Sequence, residues 1–110
     1  MEDKIRAGFL YDFYGELLNE HQRNILDSYI NEDLSLSEIA EEQGMTRQGV
    51  HDIIRRCNDK LQKYEDKLHL VEKFMHIKED VMAINELAKV ASEDNLEKIC
   101  VISNDILEEL

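Results

Sequence analysis

An all-α domain of about six helices is what this sequence predicts, and three observations predict it. The 110 residues include no proline and only four glycines, too little turn chemistry for an all-β fold. Apolar residues recur at helical spacing along nearly the whole chain. Cap signatures also recur: Asn19 before Gln22, Ser35 before Glu38, Thr46, and Ser92 before an acidic pair. No repeat, linker or low-complexity tract divides the chain, so residues 1–110 read as a single compact domain.

Residues 2–18 place Ile5, Phe9, Leu10, Phe13, Tyr14, Leu17 and Leu18 on a broad apolar arc, with Glu2, Asp3, Arg6, Asp12 and Glu16 opposite. The aromatic group Phe9, Tyr11, Phe13 and Tyr14 has the chemistry for base stacking, but the surrounding acids assign it to the core. A second helix follows the Asn19 cap, carries Ile25, Leu26, Tyr29 and Ile30 inward, and breaks at residues 31–33.

Residues 35–56 have the pattern of a helix-turn-helix. Ser35 and Glu38 form a capping box, and Leu36, Ile39 and Ala40 give the first short helix one apolar face. Ala40 is the small residue needed where two helices cross steeply, and Gly44 supplies the left-handed turn. Met45 covers the gap and Thr46 caps the second helix, whose inward residues are Val50, Ile53, Ile54 and Cys57. Leu36, Ile39, Val50, Ile53 and Ile54 are therefore expected to be buried together. An ordinary αα-hairpin shares part of this pattern.

The second helix does not stop at the motif, because Cys57, Leu61, Tyr64, Leu68 and Val71 continue as a heptad seam. The seam falters near Phe74, which places a bend or break between residues 70 and 77. It restarts as Phe74, Ile77, Val81, Ile84, Ala88 and Ala91, and a last helix carries Leu96, Ile99, Ile106, Leu107 and Leu110. The helices of residues 61–110 must pack on the motif, on each other, or on a second copy as a homodimer.

Net charge is −12, which by itself disfavours nucleic acid. Its distribution reverses that reading. Residues 1–46 carry 3 basic and 11 acidic side chains, residues 47–63 carry 5 and 2, and residues 64–110 carry 5 and 12. The one basic segment is the second helix of the motif, and acidic flanks focus attraction for phosphates on it.

Cys57 and Cys100, both among aliphatic neighbours, read as buried thiols. The four histidines show no ligand spacing, so no metal site and no cofactor are expected. The chain has no phosphate-cradling glycine loop, nucleophile elbow or catalytic constellation, which argues against an enzyme. No apolar run approaches a membrane span and no signal-peptide stretch opens the chain, so a cytoplasmic protein with no membrane partner is expected.

Advancing about 100° per residue from Arg47, the apolar residues of the second motif helix fall between about 240° and 340°. Arg47, Gln48, His51 and Arg55 fall between about 0° and 100°, opposed as a helix lying in a major groove requires. Arg47 and Gln48 have the chemistry for guanine and adenine edges, and Thr46 with the first-turn N–H groups can hold a phosphate. Arg55, Arg56, Lys60 and Lys63 are the expected backbone contacts, and duplex DNA the expected partner. Asp52 sits close to this face, where it can pair with Arg56 or accept from cytosine. Gly49 is either a close-approach residue or a tolerated one.

The stretch from Leu36 to Arg56 resembles the helix-turn-helix of bacterial sigma-factor region 4. With Tyr11–Leu18, Leu34–Glu42, Gln48–Arg56 and Leu61–Leu70, the chain more specifically resembles the YlxM/p13-like family of small bacterial proteins. That resemblance implies a DNA-binding-like helical protein, encoded beside signal recognition particle genes and proposed to act in that targeting pathway. The alternative is a second class of function, an interaction module for the particle's protein or RNA, its acidic surfaces facing basic partners, without sequence-specific DNA binding. Everything a sigma factor uses beyond this one module is missing from the match.

Overall fold

The computed structural model describes residues 2–110, with side chains from Lys4 onward. Among these residues are six α-helices and no strand: α1 (Glu2–Tyr14), α2 (Glu20–Ile30), α3 (Leu36–Gln43), α4 (Arg47–Leu68), α5 (Leu70–Leu87) and α6 (Glu93–Glu109). A short 3-10 turn, Gly15–Leu17, follows α1. The chain forms two compact units, one ending at His69 and the other running from Leu70 to Leu110.

In the first unit α4 is the central element, in contact with α1, α2 and α3. Its inward residues are Val50, Ile54, Cys57, Leu61 and Glu65. They meet Leu10 and Tyr14 from α1, Ile25 and Leu26 from α2, and Ile39 and Ala40 from α3, all buried. Two helices of a helix-turn-helix bury too little apolar surface alone, and α1 and α2 supply the backing. Both expected capping boxes form, at Asn19 with Gln22 and at Ser35 with Glu38. Asp33 takes a left-handed conformation in the break after α2 and pairs with Lys4, whose ammonium also lies 4.6 Å from the centre of the Tyr29 ring.

Four expectations change here. Ile5, Phe13 and Leu17 are exposed, so the buried stripe of α1 is the narrower set Ala7, Leu10 and Tyr14, with Leu18 beyond the 3-10 turn. The wide arc would need neighbours on two sides, and within this unit the neighbours of α1 stand on one. Ile53 and Leu36 are half-buried, whereas Ile39, Val50 and Ile54 form the buried centre of the motif. The heptad continuation also drifts: Glu65 is buried, Tyr64 half-buried and Leu68 exposed. A straight α-helix turns every 3.6 residues, so inward positions run 57, 61, 65, and only a supercoiling partner would hold them at 57, 61, 64. Burial of Glu65 is made tolerable by the Tyr14 hydroxyl, which donates to its Oε1 at 2.6 Å. Finally the helix break falls at His69, one residue before the expected window, where a left-handed residue (φ 55°) caps α4.

The second unit is an antiparallel hairpin. Asn95 locks its connection by donating from Nδ2 to the carbonyls of Leu87 and Val90, while Ser92 caps α6. Helix α5 ends at Leu87, so Ala88 and Ala91 lie in the connection and not on a seam. Cys100 is exposed, contrary to expectation, because α6 turns that side away from α5; Cys57 is buried and its thiol is pushed up by desolvation.

His76 on α5 meets Glu109 on α6, and Asp80 shares a hydrogen bond with Asp105 alongside. Together His76, Asp80 and Asp105 place three ligand-type atoms within 4.8 Å, a grouping that no short-range spacing reveals. The hydrogen bond to Glu109, and then its charge, hold the His76 imidazolium above its ordinary range. A folded-state value raised in this way stabilises the hairpin below the unfolded imidazole pKa and loses that contribution as pH rises through the folded value. An NMR titration of His76 is expected to give a midpoint above that of free imidazole. Glu109→Gln should bring it back, and an unchanged midpoint would remove the pairing.

Candidate nucleic-acid interface

The interface is built on the start of α4. Gly44 closes α3 in a left-handed conformation (φ 65°), and its N–H, with that of Met45, donates to the Ala40 carbonyl. No atom lies within 4 Å of where a Cβ on Gly44 would stand, so backbone conformation and not space selects glycine. Thr46 then starts α4, its Oγ1 accepting from the Gly49 N–H at 3.0 Å. A Cβ on Gly49 would lie 3.1 Å from that same oxygen. The close approach required of Gly49 is therefore to its own cap. With the Gly49 N–H taken, the amides of Arg47 and Gln48 remain as the helix-start donors.

All eight residues singled out from the sequence are exposed: Thr46, Arg47, Gln48, His51, Arg55, Arg56, Lys60 and Lys63. They do not share one face. Arg47, Gln48, His51 and Arg55 project together, on a face centred about 100° around the helix from the buried stripe of Val50, Ile54, Cys57 and Leu61, so the two faces adjoin and are not opposed. Arg56 and Lys63 lie on the adjoining flank, at about 180° and 160° on the same wheel, and Lys60 is turned furthest, to about 220°. Burial of the Val50, Ile54, Cys57 and Leu61 stripe holds this polar face outward, since rotating α4 would expose its core residues.

Asp52 takes a role that sequence spacing leaves ambiguous. Gln48 donates from Nε2 to Asp52 Oδ1 at 3.1 Å, and His51 Nδ1 stands 3.8 Å from the same carboxylate oxygen. The partners of Asp52 are thus Gln48 and His51, where the i, i+4 spacing offers Arg56. One amide proton of Gln48 and its carbonyl stay available, so the side chain is oriented without being consumed.

Sequence reasoning missed a second polar place in this unit. Arg6 donates from Nε and Nη2 to Gln62 Oε1 at 3.1 and 2.8 Å, bridging α1 to α4. Beside this bridge lies a cleft of about 270 Å³ lined by Arg6, Ala7, Leu10, Asn58 and Gln62, and Asn58 Oδ1 is buried without a partner. Its residues come from two helices, at positions 48 to 56 apart in the chain, so no local pattern announces it.

Comparison with known proteins gives the family. A family model described as "Putative helix-turn-helix protein, YlxM / p13 like" matches residues 1–102. A UPF0122 protein of Clostridium kluyveri is 60% identical over 58 residues, which is 53% of this chain and 52% of that protein. One from Clostridium novyi is 49% identical over 61 residues, 56% of this chain and 53% of the relative. One from Symbiobacterium thermophilum is 48% identical over 62 residues, 56% of this chain and 58% of the relative. The chain spans about half the length of these relatives. No helix among the described residues is long and apolar enough to cross a membrane. With its capped α3, left-handed glycine turn and outward-facing α4, the chain belongs to the YlxM/p13-like family of helix-turn-helix proteins.

Proposed function

We propose that this protein is a DNA-binding regulator that lays α4 in the major groove of duplex DNA. The single observation that carries the reading is the coincidence on one helix face of four exposed donor-rich side chains with the chain's only net-basic segment. Arg47 and Gln48 lie in the first turn, the part of such a helix that reaches base edges, and suit guanine and adenine. His51 and Arg55 continue the face by one turn each. Thr46 with the helix-start amides, and Arg56 and Lys63 from the flank, hold phosphates. Lys60 adds to the field drawing the duplex in more than to a direct contact.

Selection from random duplexes at low salt tests this directly. Enrichment of a defined sequence is the expected outcome, with weak non-specific binding at physiological salt because net charge is −12. No enrichment would defeat the reading.

A second reading is favoured by the acidic balance of residues 1–46 and 64–110. In it the protein is an interaction module of the signal recognition particle pathway, meeting a basic protein surface or the particle RNA. Binding to the particle that is indifferent to Arg47 and Gln48, without sequence-specific DNA binding, would favour it over the first.

A further inference from the structure

We propose that the α5–α6 hairpin carries a self-association face and that its occupant is a second copy of this chain. Helix α6 buries none of its residues. Leu96, Leu107 and Leu110 are 63%, 67% and 85% exposed, and Cys100 is exposed between them. With Ser103 these positions step by 4, 3, 4 and 3 residues, the spacing of a helix seam that meets another helix. On α5, Phe74 and Val81, seven residues apart, are 42% and 51% exposed.

These two stripes lie on the same side of the hairpin. The half-buried residues Ile99, Ile102 and Ile106 mark the direction in which α6 faces α5, and the exposed stripe lies about 100° around from them. On α5, Ile77, Ile84 and Leu87 mark the facing direction, and Phe74 and Val81 lie about 100° around in the same sense. The helices are antiparallel, as the His76–Glu109 and Leu87–Asn95 contacts at opposite ends show. Equal rotations in the same sense on antiparallel helices converge on one side, so the stripes form a single apolar face.

Charge and size identify the occupant. The hairpin carries ten acidic and four basic side chains, which would repel a second copy if they were spread evenly. They are not spread evenly. On the wheels of both helices every acid falls away from the apolar side except Glu93, at its rim, while Lys78 falls on it. A basic partner would be drawn to the other sides of the hairpin, whereas a second copy meets this side without opposing carboxylates and can set Lys78 toward the partner's Glu93. Two helices of 18 and 17 residues present a face roughly 25 Å long and 20 Å wide, about 500 Å² in flat projection, the scale of the smaller specific interfaces. Two such faces stacked about a two-fold axis make a four-helix bundle, which gives α6 the burial it lacks. The inference is independent of DNA reading.

Light scattering on the full chain across the micromolar range tests it. The expected mass is twice 12.9 kDa, halved by Leu107→Glu and by Leu96→Glu with helix content retained. Val101→Glu, on the same helix and 69% exposed but turned to the acidic side, should leave the dimer intact. In the unsubstituted chain, alkylation of Cys100 should slow as protein concentration rises. A mass of 12.9 kDa throughout, a dimer insensitive to Leu107→Glu, equal dissociation by Val101→Glu, or a concentration-independent Cys100 rate would each overturn the proposal.

Discussion

Truncating Ile39 to alanine is expected to destabilise the first unit by about 2–5 kcal/mol, the cost of an emptied core position. Ile39 is 1% exposed on α3, which packs against α4, where Val50 is 0% exposed. Little can relax into the space, because Ala40 beside it is already small and Gly44 fixes the turn. Each kcal/mol lowers the melting temperature of a domain this size by roughly 4–8 °C, so the shift should be plain in a thermal melt. Ile53→Ala is the informative companion. Ile53 has the same side chain on the partner helix but is less deeply buried, so its loss should be smaller. Equal losses at the two positions would mean that α4 is rotated from the orientation described.

The second large effect belongs to the proposed reading face. Arg47→Ala should cost roughly 1–3 kcal/mol on the selected duplex and relax preference at one base position. Lys63→Ala, on the flank, should weaken all sequences alike and reduce the salt slope by about one. Folding is not at stake in either substitution, since both side chains are exposed and neither packs into the core. A competition assay at two salt concentrations separates the roles, and an Arg47 variant indistinguishable from wild type would retire the groove-reading proposal. Gln48→Ala carries a further signature, because it also frees Asp52 from its hydrogen bond and leaves that carboxylate facing the duplex.

Most of the helix-turn-helix was legible in the residues because its signals are local. Capping boxes act over three residues, a left-handed turn selects glycine at one position, and the separate apolar and polar faces of α4 follow from helical periodicity alone. The break at His69 was harder to place, since neither glycine nor proline marks it and a histidine takes the left-handed conformation instead. Cys100, Ile5 and Leu17 misled for a different reason: an apolar residue at helical spacing names a face but not its neighbour.

By itself, then, the sequence determined the helical class, the order of elements, the caps and the net-basic segment of α4, all set by residue identity and interactions within one or two turns. Tertiary structure alone decided which apolar faces are covered, that Glu65 is buried on the Tyr14 hydroxyl, that Asp52 serves Gln48, and that Arg6 reaches Gln62 across fifty-six positions. Burial and side-chain pairing depend on which helix lies opposite. The free energy of that choice is summed over contacts from distant parts of the chain, and no local window contains it.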